Sequence, residues 1–285
     1  MSHRTTSRFL LLAAAVLFST GGAAIKAATV TGWQVACFRS GIAALAILAI
    51  VPGARRGWRP RMALAGLTYA ATLILFVLAN RLTTAANTIF LQSTAPLYLL
   101  IIGPLLLKEP VKRSDIIFAG AVGVGLSLFF FAREHTAATA PDPFTGNLLA
   151  LISGVTWAGV VASLRWLGRG TRDAAAASAT VVVGNLMAFG ISLPMALPIS
   201  SVSASDVGVL LYLGMFQVGL AYWCMTRGLR HVPAFEAATL MLIEPVLNPV
   251  WAWLVHGERP ATLAIAGGSI ILASTLVSTW RKSRA

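Results

Sequence analysis

Three ionisable side chains lie well inside long apolar stretches of this sequence, where a charge is costly. They are Arg39, Glu236 and Glu244. On insertion scales, a charged residue at the centre of a bilayer costs about 2.5–3.5 kcal/mol. A charge kept at such a position generally faces other helices and has a partner or a task. These three residues are therefore the first candidates for binding or ion-coupling chemistry.

Glu244 lies near the middle of its apolar stretch and directly precedes Pro245. Asn248 and Trp251 follow it at i+4 and i+7, so the three side chains share one helical face. Pro245 has no backbone N–H, which leaves a carbonyl of the preceding turn free to face a cavity. Two roles fit Glu244. It binds a substrate amine or carries a coupling proton, or else it is an internal hydrogen-bond or ion-pair anchor.

Arg39 has a planar guanidinium group that matches the two oxygens of a carboxylate. It can contact a substrate carboxylate, pair with Glu244, or tie its helix to backbone carbonyls of a neighbour, and the sequence leaves these roles open. Glu236 lies one turn inside its stretch, where the helix dipole favours a negative charge near the N-terminus.

Polar and aromatic side chains recur in the other apolar stretches. Asn87, Thr94 and Tyr98 are spaced at i, i+7 and i+11, on one face of a helix. The remaining site candidates are Tyr69, Trp157 and Gln217. Such a mixture suits a small amphipathic solute. For any single aromatic residue, helix packing or a place in the interfacial belt is the alternative role.

The sequence offers no set of residues for enzymatic chemistry. The histidines are terminal or in loops, at His3, His135, His231 and His256. The two cysteines have neither disulfide nor metal-site spacing. GAVGVG (120–125) lies inside an apolar stretch, where small residues serve close helix packing rather than nucleotide binding. We therefore predict no catalytic residue, no cofactor and no metal site.

The elements that position these residues are membrane-spanning helices. The 285 residues are 57% hydrophobic and 11% charged, whereas a soluble domain has roughly 25% charged residues. A helix needs about 20 apolar residues to cross the hydrocarbon core. Ten stretches qualify: 9–25, 31–51, 62–80, 86–107, 115–132, 146–167, 174–198, 207–226, 233–255 and 260–279. We predict an all-α integral membrane protein with ten transmembrane helices.

Positive charges alternate between the predicted loops. Of the 22 Lys and Arg residues, 17 fall in the terminal segments or alternate loops. The other loops hold only Lys26, Arg81, Arg133 and Arg259. The positive-inside rule then places both termini in the cytoplasm of a bacterial inner (plasma) membrane. The formal charge of +13 is thus a topology signal, and we exclude a nucleic-acid partner.

The chain repeats itself at an offset of 149 residues. The segment 81–109 aligns without a gap on the segment 230–258. The informative matches are Arg81 with Arg230, Pro96 with Pro245 and Glu109 with Glu258. At a slightly different offset, Lys26 at the end of span 1 corresponds to Arg165 at the end of span 6.

These matches predict two five-helix repeats, residues 1–135 and 145–285. Five is an odd number, so the second repeat enters the membrane from the opposite side. Inverted repeats are a common device of secondary transporters. We expect Pro96 and Pro245 to be paired hinges in helices 4 and 9.

Five motifs resemble those of a known family. They are FSTGGAAIK ending span 1, CFRSG in span 2, LLLKEPV ending span 4, SGVTWAGVVASLR in span 6 and LIEPVLNPVWAWLVHGE in span 9. In this order they resemble the EamA-type members of the drug/metabolite transporter superfamily. Two positions depart from that pattern. Ala95 stands where the second repeat has Glu244, and Lys108 replaces the usual glycine before Glu109.

The resemblance implies a cavity surrounded by helices 1, 3, 4, 6, 8 and 9, and export or exchange of amino acids, sugars, nucleotide-linked and other metabolites. No ATP-binding motif is present, so a gradient would supply the energy. We expect a secondary-active exporter of amino acids or similar small metabolites, monomeric, working by alternating access, with protons as a coupling ion. The alternative is a broad-specificity exporter of cationic drugs. Arg39 together with Glu244 favours a zwitterion.

Overall fold

The computed structural model describes residues 3–56, 58–107, 113–131, 137–167, 174–199, 201–229 and 231–284. In this part the regular structure is helical, and no strand occurs apart from an isolated bridge between Ala137 and Ala140. The α-helices are α1 His3–Ser19, α2 Gly21–Ala27, α3 Gly32–Ile50, α4 Met62–Leu82, α5 Ala85–Gln92, α6 Ala95–Ile102, α7 Arg113–Phe131, α8 Pro143–Leu167, α9 Ala174–Ala196, α10 Ala204–Leu211, α11 Ala221–Gly228, α12 Ala234–Met241, α13 Ile243–His256 and α14 Thr262–Arg284.

Long apolar helices explain the composition. Eight segments of the described residues are long and apolar enough to cross a membrane. Helices also lie at the two other predicted spans, where α7 covers the fifth and α12 with α13 covers the ninth. The protein is therefore an all-helical membrane protein, as predicted.

Two of the membrane segments are interrupted just before a proline. Between α5 and α6, Ser93 and Thr94 have ψ angles of −5° and −2°, and between α12 and α13 Leu242 has a ψ of −9°. An α-helix has ψ near −42°. Pro96 and Pro245 cannot donate the i→i−4 hydrogen bond that would continue each helix. In addition, α12 begins and ends 149 residues after α5 begins and ends, which is the offset of the sequence repeat.

Two further irregularities have no proline nearby. Thr20 separates α1 from α2 and bonds the carbonyl of Leu17. A π-helical segment, Tyr212–Leu220, joins α10 to α11. π-Helical turns are rare and frequently lie at functional sites.

Small residues allow the helices to pack closely. Helix α4 packs against α8 and α9, and α3 packs against α9. A Cβ atom added at Gly184 would lie 2.4 Å from the Tyr69 ring, so only glycine permits this approach of α9 to α4. The free thiols of Cys37 and Cys224 are buried in the same way as small apolar side chains.

Helices α7 and α14 cross at a pair of glycines. A Cβ atom at Gly125 would lie 2.9 Å from the Gly267 carbonyl oxygen, and one at Gly267 would lie 2.5 Å from the Gly125 carbonyl oxygen. The contact is reciprocal. It confirms the close helix packing predicted for GAVGVG at Gly125, whereas Gly120 and Gly123 have no described atom within 4 Å of an added Cβ.

Candidate functional site

Arg39 is buried among α3, α4 and α11. Its side chain is 2% exposed, and Nη2 donates to the carbonyl oxygen of Leu73 at 3.3 Å. Nε has no partner among the described residues. No ion pair found among the described residues joins Arg39 to Glu244. Of the roles open in the sequence, the contact observed is the tie to a backbone carbonyl, and the buried Nε–H has no described partner.

An aromatic cluster adjoins Arg39. The hydroxyl of Tyr69 donates to that of Tyr222 at 2.6 Å, and the two rings meet edge to face. The distance between ring centroids is 6.3 Å for Trp157 and Tyr69 and 5.2 Å for Phe18 and Tyr222. The cluster therefore joins α1, α4, α8 and α11 with two hydroxyls at its centre.

Glu244 lies in the first turn of α13, immediately after the helix break. It is half-buried, and among the described residues its carboxylate has neither a hydrogen bond nor an ion pair. Tyr222 interacts electrostatically with both Glu244 and Arg39. The two groups of opposite sign therefore both lie near the buried Tyr222 hydroxyl, and no ion pair joining them is found among the described residues. Such an arrangement can hold a solute that carries both charges.

The break between α1 and α2 brings together predicted site residues from two other helices. Gln217 donates to the carbonyl oxygen of Phe18 at 3.3 Å, and Trp251 Nε1 donates to Ser19 Oγ at 2.9 Å. Asn248 is fully buried, and neither of its amide atoms has a described partner. A Cβ added at Gly22 would lie 2.7 Å from Asn248 Oδ1. The polar face of α13 thus packs against the irregular part of helix 1.

The three candidates of helix 4 are divided by its break. Thr94, in the break, and Tyr98, in α6, lie together, with their hydroxyls 3.4 Å apart. Asn87 lies before the break and donates to Asn147 at 3.0 Å. The predicted common face assumed a continuous helix, and the turn at Ser93 and Thr94 removes that continuity. Thr94 and Tyr98 therefore remain together, and Asn87 belongs to a separate polar contact with α8.

Three ion pairs among the described residues were not predicted. Lys26 pairs with Glu258 at 2.8 Å. Glu236 pairs with Arg4 at 2.7 Å and also with Arg8. The predicted place of Glu236 in the first turn of its helix is confirmed. Lys26 and Glu258 were both noted in the sequence as repeat matches at helix ends. Charges at helix ends are also explained by membrane topology, so nothing in the sequence indicated that these two residues pair.

No group of three or more His, Cys, Asp or Glu residues that could hold a metal ion occurs in the described part of the chain. The polar atoms available are amides, hydroxyls, one guanidinium and one carboxylate. They suit an organic solute.

Known proteins resemble this chain along nearly all of its length. The model of the EamA-like transporter family matches residues 6–131 and again residues 144–280. The pseudopaline exporter CntI of Pseudomonas aeruginosa strain UCBPP-PA14 is 24% identical over 273 residues, covering 94% of this chain and 93% of the exporter. CntI from strain PAO1 is 24% identical over 275 residues, with the same coverage.

Two further comparisons are more limited. An uncharacterized transporter of Haemophilus influenzae is 32% identical over 143 residues, which are 47% of this chain and 80% of that protein. A solved structure described only as the crystal structure of a protein aligns with a TM-score of 0.62 at 18% identity and covers 98% of both chains. At that identity the likeness shows the fold alone. By the family match over both halves, the chain belongs to the EamA-like transporter family and is a membrane transporter, not an enzyme.

Proposed function

We propose that this protein is a secondary-active exporter of amino acids or similar small zwitterionic metabolites. The observation that carries the proposal is that Arg39 and Glu244 both lie near Tyr222, with no ion pair between them among the described residues. A carboxylate fits the planar guanidinium, and an ammonium group fits the glutamate. The two relatives named as exporters of pseudopaline support export of a small metabolite.

The proposed architecture is ten transmembrane helices in two inverted repeats, residues 1–135 and 145–285. Two observations support it. The family model matches each half once, and α5 and α12 have equivalent bounds. Pro96 and Pro245 are the proposed hinges, since each interrupted helix can bend at the turn before its proline. Exchange of the two repeat conformations would give alternating access to the central site.

The proposed location is a bacterial inner membrane with both termini in the cytoplasm, supported by the distribution of Lys and Arg. The unit is proposed to be a monomer with a small-molecule substrate in the lipid bilayer. Glu244 is the proposed carrier of a coupling proton, because no other described carboxylate lies beside the aromatic cluster.

Counterflow in proteoliposomes tests this function. Vesicles containing purified protein are loaded with a mixture of unlabelled amino acids, and uptake of each labelled amino acid is measured. We expect accumulation of at least one, and its loss in Arg39→Met. The control is Arg56→Met, which removes an exposed arginine outside the site.

The result separates the alternatives. Flux of cationic dyes without amino-acid flux would identify the cationic drug exporter instead, and insensitivity to Arg39→Met would remove the carboxylate contact. Absence of flux for any solute, with a folded protein, would contradict the proposal.

Glu244→Gln tests the coupling and amine-binding roles. The substitution keeps size and hydrogen bonding but removes the charge and the titration. We expect a folded protein with transport lowered at least about tenfold and without its pH dependence. Asp142→Asn is the matched control, because Asp142 is exposed and caps α8 through Thr145. A melting temperature that falls in Glu244→Gln while transport persists would assign the residue a structural role.

A further inference from the structure

A buried ion pair joins the ends of α2 and α13. Lys26 Nζ lies 2.8 Å from Glu258 Oε1, and the two side chains are only 3% and 2% exposed. Lys26 also donates to the carbonyl oxygens of Thr83, at 2.8 Å, and of Thr139. Glu258 Oε2 accepts a hydrogen bond from the backbone N–H of Ala85 at 2.9 Å. Four segments of the chain therefore meet at one pair of charges.

Ala85 is the first residue of α5, and its N–H has no partner within that helix. The N-terminus of a helix also carries the positive end of the helix dipole. The carboxylate of Glu258, two residues beyond the end of α13, satisfies both requirements. Glu258 thus attaches the start of the interrupted helix 4 to the end of the interrupted helix 9, and Lys26 attaches both to helix 1.

The pair lies at the membrane face opposite the chain termini. Arg4 and Arg8 begin α1 at one face, and Lys26 lies at the far end of the same helical segment. Further contacts close this second face. Arg81 donates to the carbonyl oxygens of Ala28 and Val30, each at 2.7 Å. The hydrogen bonds of Thr29 to Asp206 add a tie to the start of α10.

We infer that Lys26 and Glu258 are gating residues, whose ion pair holds the face opposite the termini closed. This inference rests on the proposed alternating-access function. Separating two opposite charges in a dry environment is costly, because neither is solvated. When that face opens, water reaches both side chains and solvates each charge separately. The pair is therefore strong in the closed state and weak in the open state, which biases the protein toward closure.

The alternative is that the pair is only an anchor for the fold. The two roles differ in where the protein loosens when the pair is removed. A gate loosens the start of α5 and the loop at 137–142. An anchor loosens the helices throughout, including α3 and α9.

Hydrogen exchange followed by mass spectrometry, on protein in lipid nanodiscs, distinguishes them without any solute. In Lys26→Met and in Glu258→Gln we expect amides at 85–88 and 137–142 to exchange about tenfold faster, as local opening predicts. Exchange within α3 and α9 should accelerate much less than exchange at 85–88. Glu236→Gln, which removes the acidic partner at the other face, is the matched control and should leave 85–88 unchanged.

Unchanged exchange at 85–88, or equal acceleration in every helix, would overturn the inference. If the single variants do not fold, the double variant Lys26→Met with Glu258→Gln is measured instead, since it leaves no unpaired buried charge. The same two outcomes overturn the inference there. Failure of the proposed function is separable. If no solute flux is found but the variants exchange faster at 85–88, the proposed transport function fails and the local closure by the ion pair stands. If flux is normal but exchange at 85–88 is unchanged, the transport function stands and the gating inference fails.

Discussion

Opposite charges hold α1–α2 and α12–α13 together at both ends, but the two ends differ in burial. Where the segments begin, Arg4 and Arg8 contact Glu236, with side chains 55%, 46% and 24% exposed. Where they end, Lys26 and Glu258 are almost fully buried. Exposed pairs contribute about 0–1 kcal/mol, whereas breaking one side of a buried pair costs about 3–5 kcal/mol.

This difference shows that position, and not the number of charges, decides what an ion pair does. At the exposed end, water can replace each partner, so the pair mainly sets the register of the two helices. At the buried end, no such replacement exists while the face is closed. Two arginines and one glutamate therefore hold more weakly than a single lysine and a single glutamate.

The largest effect is expected at the buried end. Lys26→Met should lower the free energy of unfolding by about 3–5 kcal/mol, because Glu258 then remains as an uncompensated buried charge. The measurement is denaturant or thermal unfolding in detergent. Lys26→Arg, which retains the positive charge, should lose markedly less. Equal losses in Lys26→Met and Glu236→Gln would refute the distinction between the ends.

An intermediate effect is expected beside the buried end, at Gly22. An added Cβ would lie 2.7 Å from Asn248 Oδ1 and 2.8 Å from the Ala85 Cβ. Gly22→Ala should therefore cost about 1–3 kcal/mol, as overpacking does in other closely packed cores. Gly120→Ala is the control, since nothing lies within 4 Å of its added Cβ. The same unfolding measurement applies, and a neutral Gly22→Ala would mean that this region is loosely packed.

The smallest effect is expected at the exposed end. Arg8→Gln should change the free energy of unfolding by less than about 1 kcal/mol. The remaining effect should shrink further as salt rises, because the Debye length falls from about 10 Å at 0.1 M to about 3 Å at 1 M. Unfolding curves at the two ionic strengths measure it. A loss that persists at high salt would show that this end is effectively dry.

The sequence predicted the helices better than their interruptions. Long apolar stretches locate helices because few other structures are stable in lipid. Pro96 and Pro245 marked two interruptions, but each falls in the turn before the proline. The interruption at Thr20 and the π-helical segment have no proline nearby, so the residue types alone do not predict them.

The site could be predicted in part. Arg39 and Glu244 were recognisable because charges are rare inside apolar stretches, and Trp251 because of its spacing from Glu244. The partners of Arg39, Trp251 and Gln217 were not recognisable, because Leu73, Ser19 and Phe18 offer ordinary carbonyl or hydroxyl groups. The contact between Lys26 and Glu258 depends on two helix ends that are 232 residues apart in sequence. Only the three-dimensional arrangement brings them together.

The reciprocal contact of Gly125 with Gly267 is a point about which α7 and α14 can pivot. Neither glycine places a side chain of its own between the two backbones, so α7 and α14 can rotate about this point with little change in separation, while Ile271 and Phe129 pack beside it. Rocking of one half against the other would therefore leave this crossing fixed and move the far ends of the helices most. Spin labels at the exposed Val124 and Ile265 would keep one distance throughout a transport cycle.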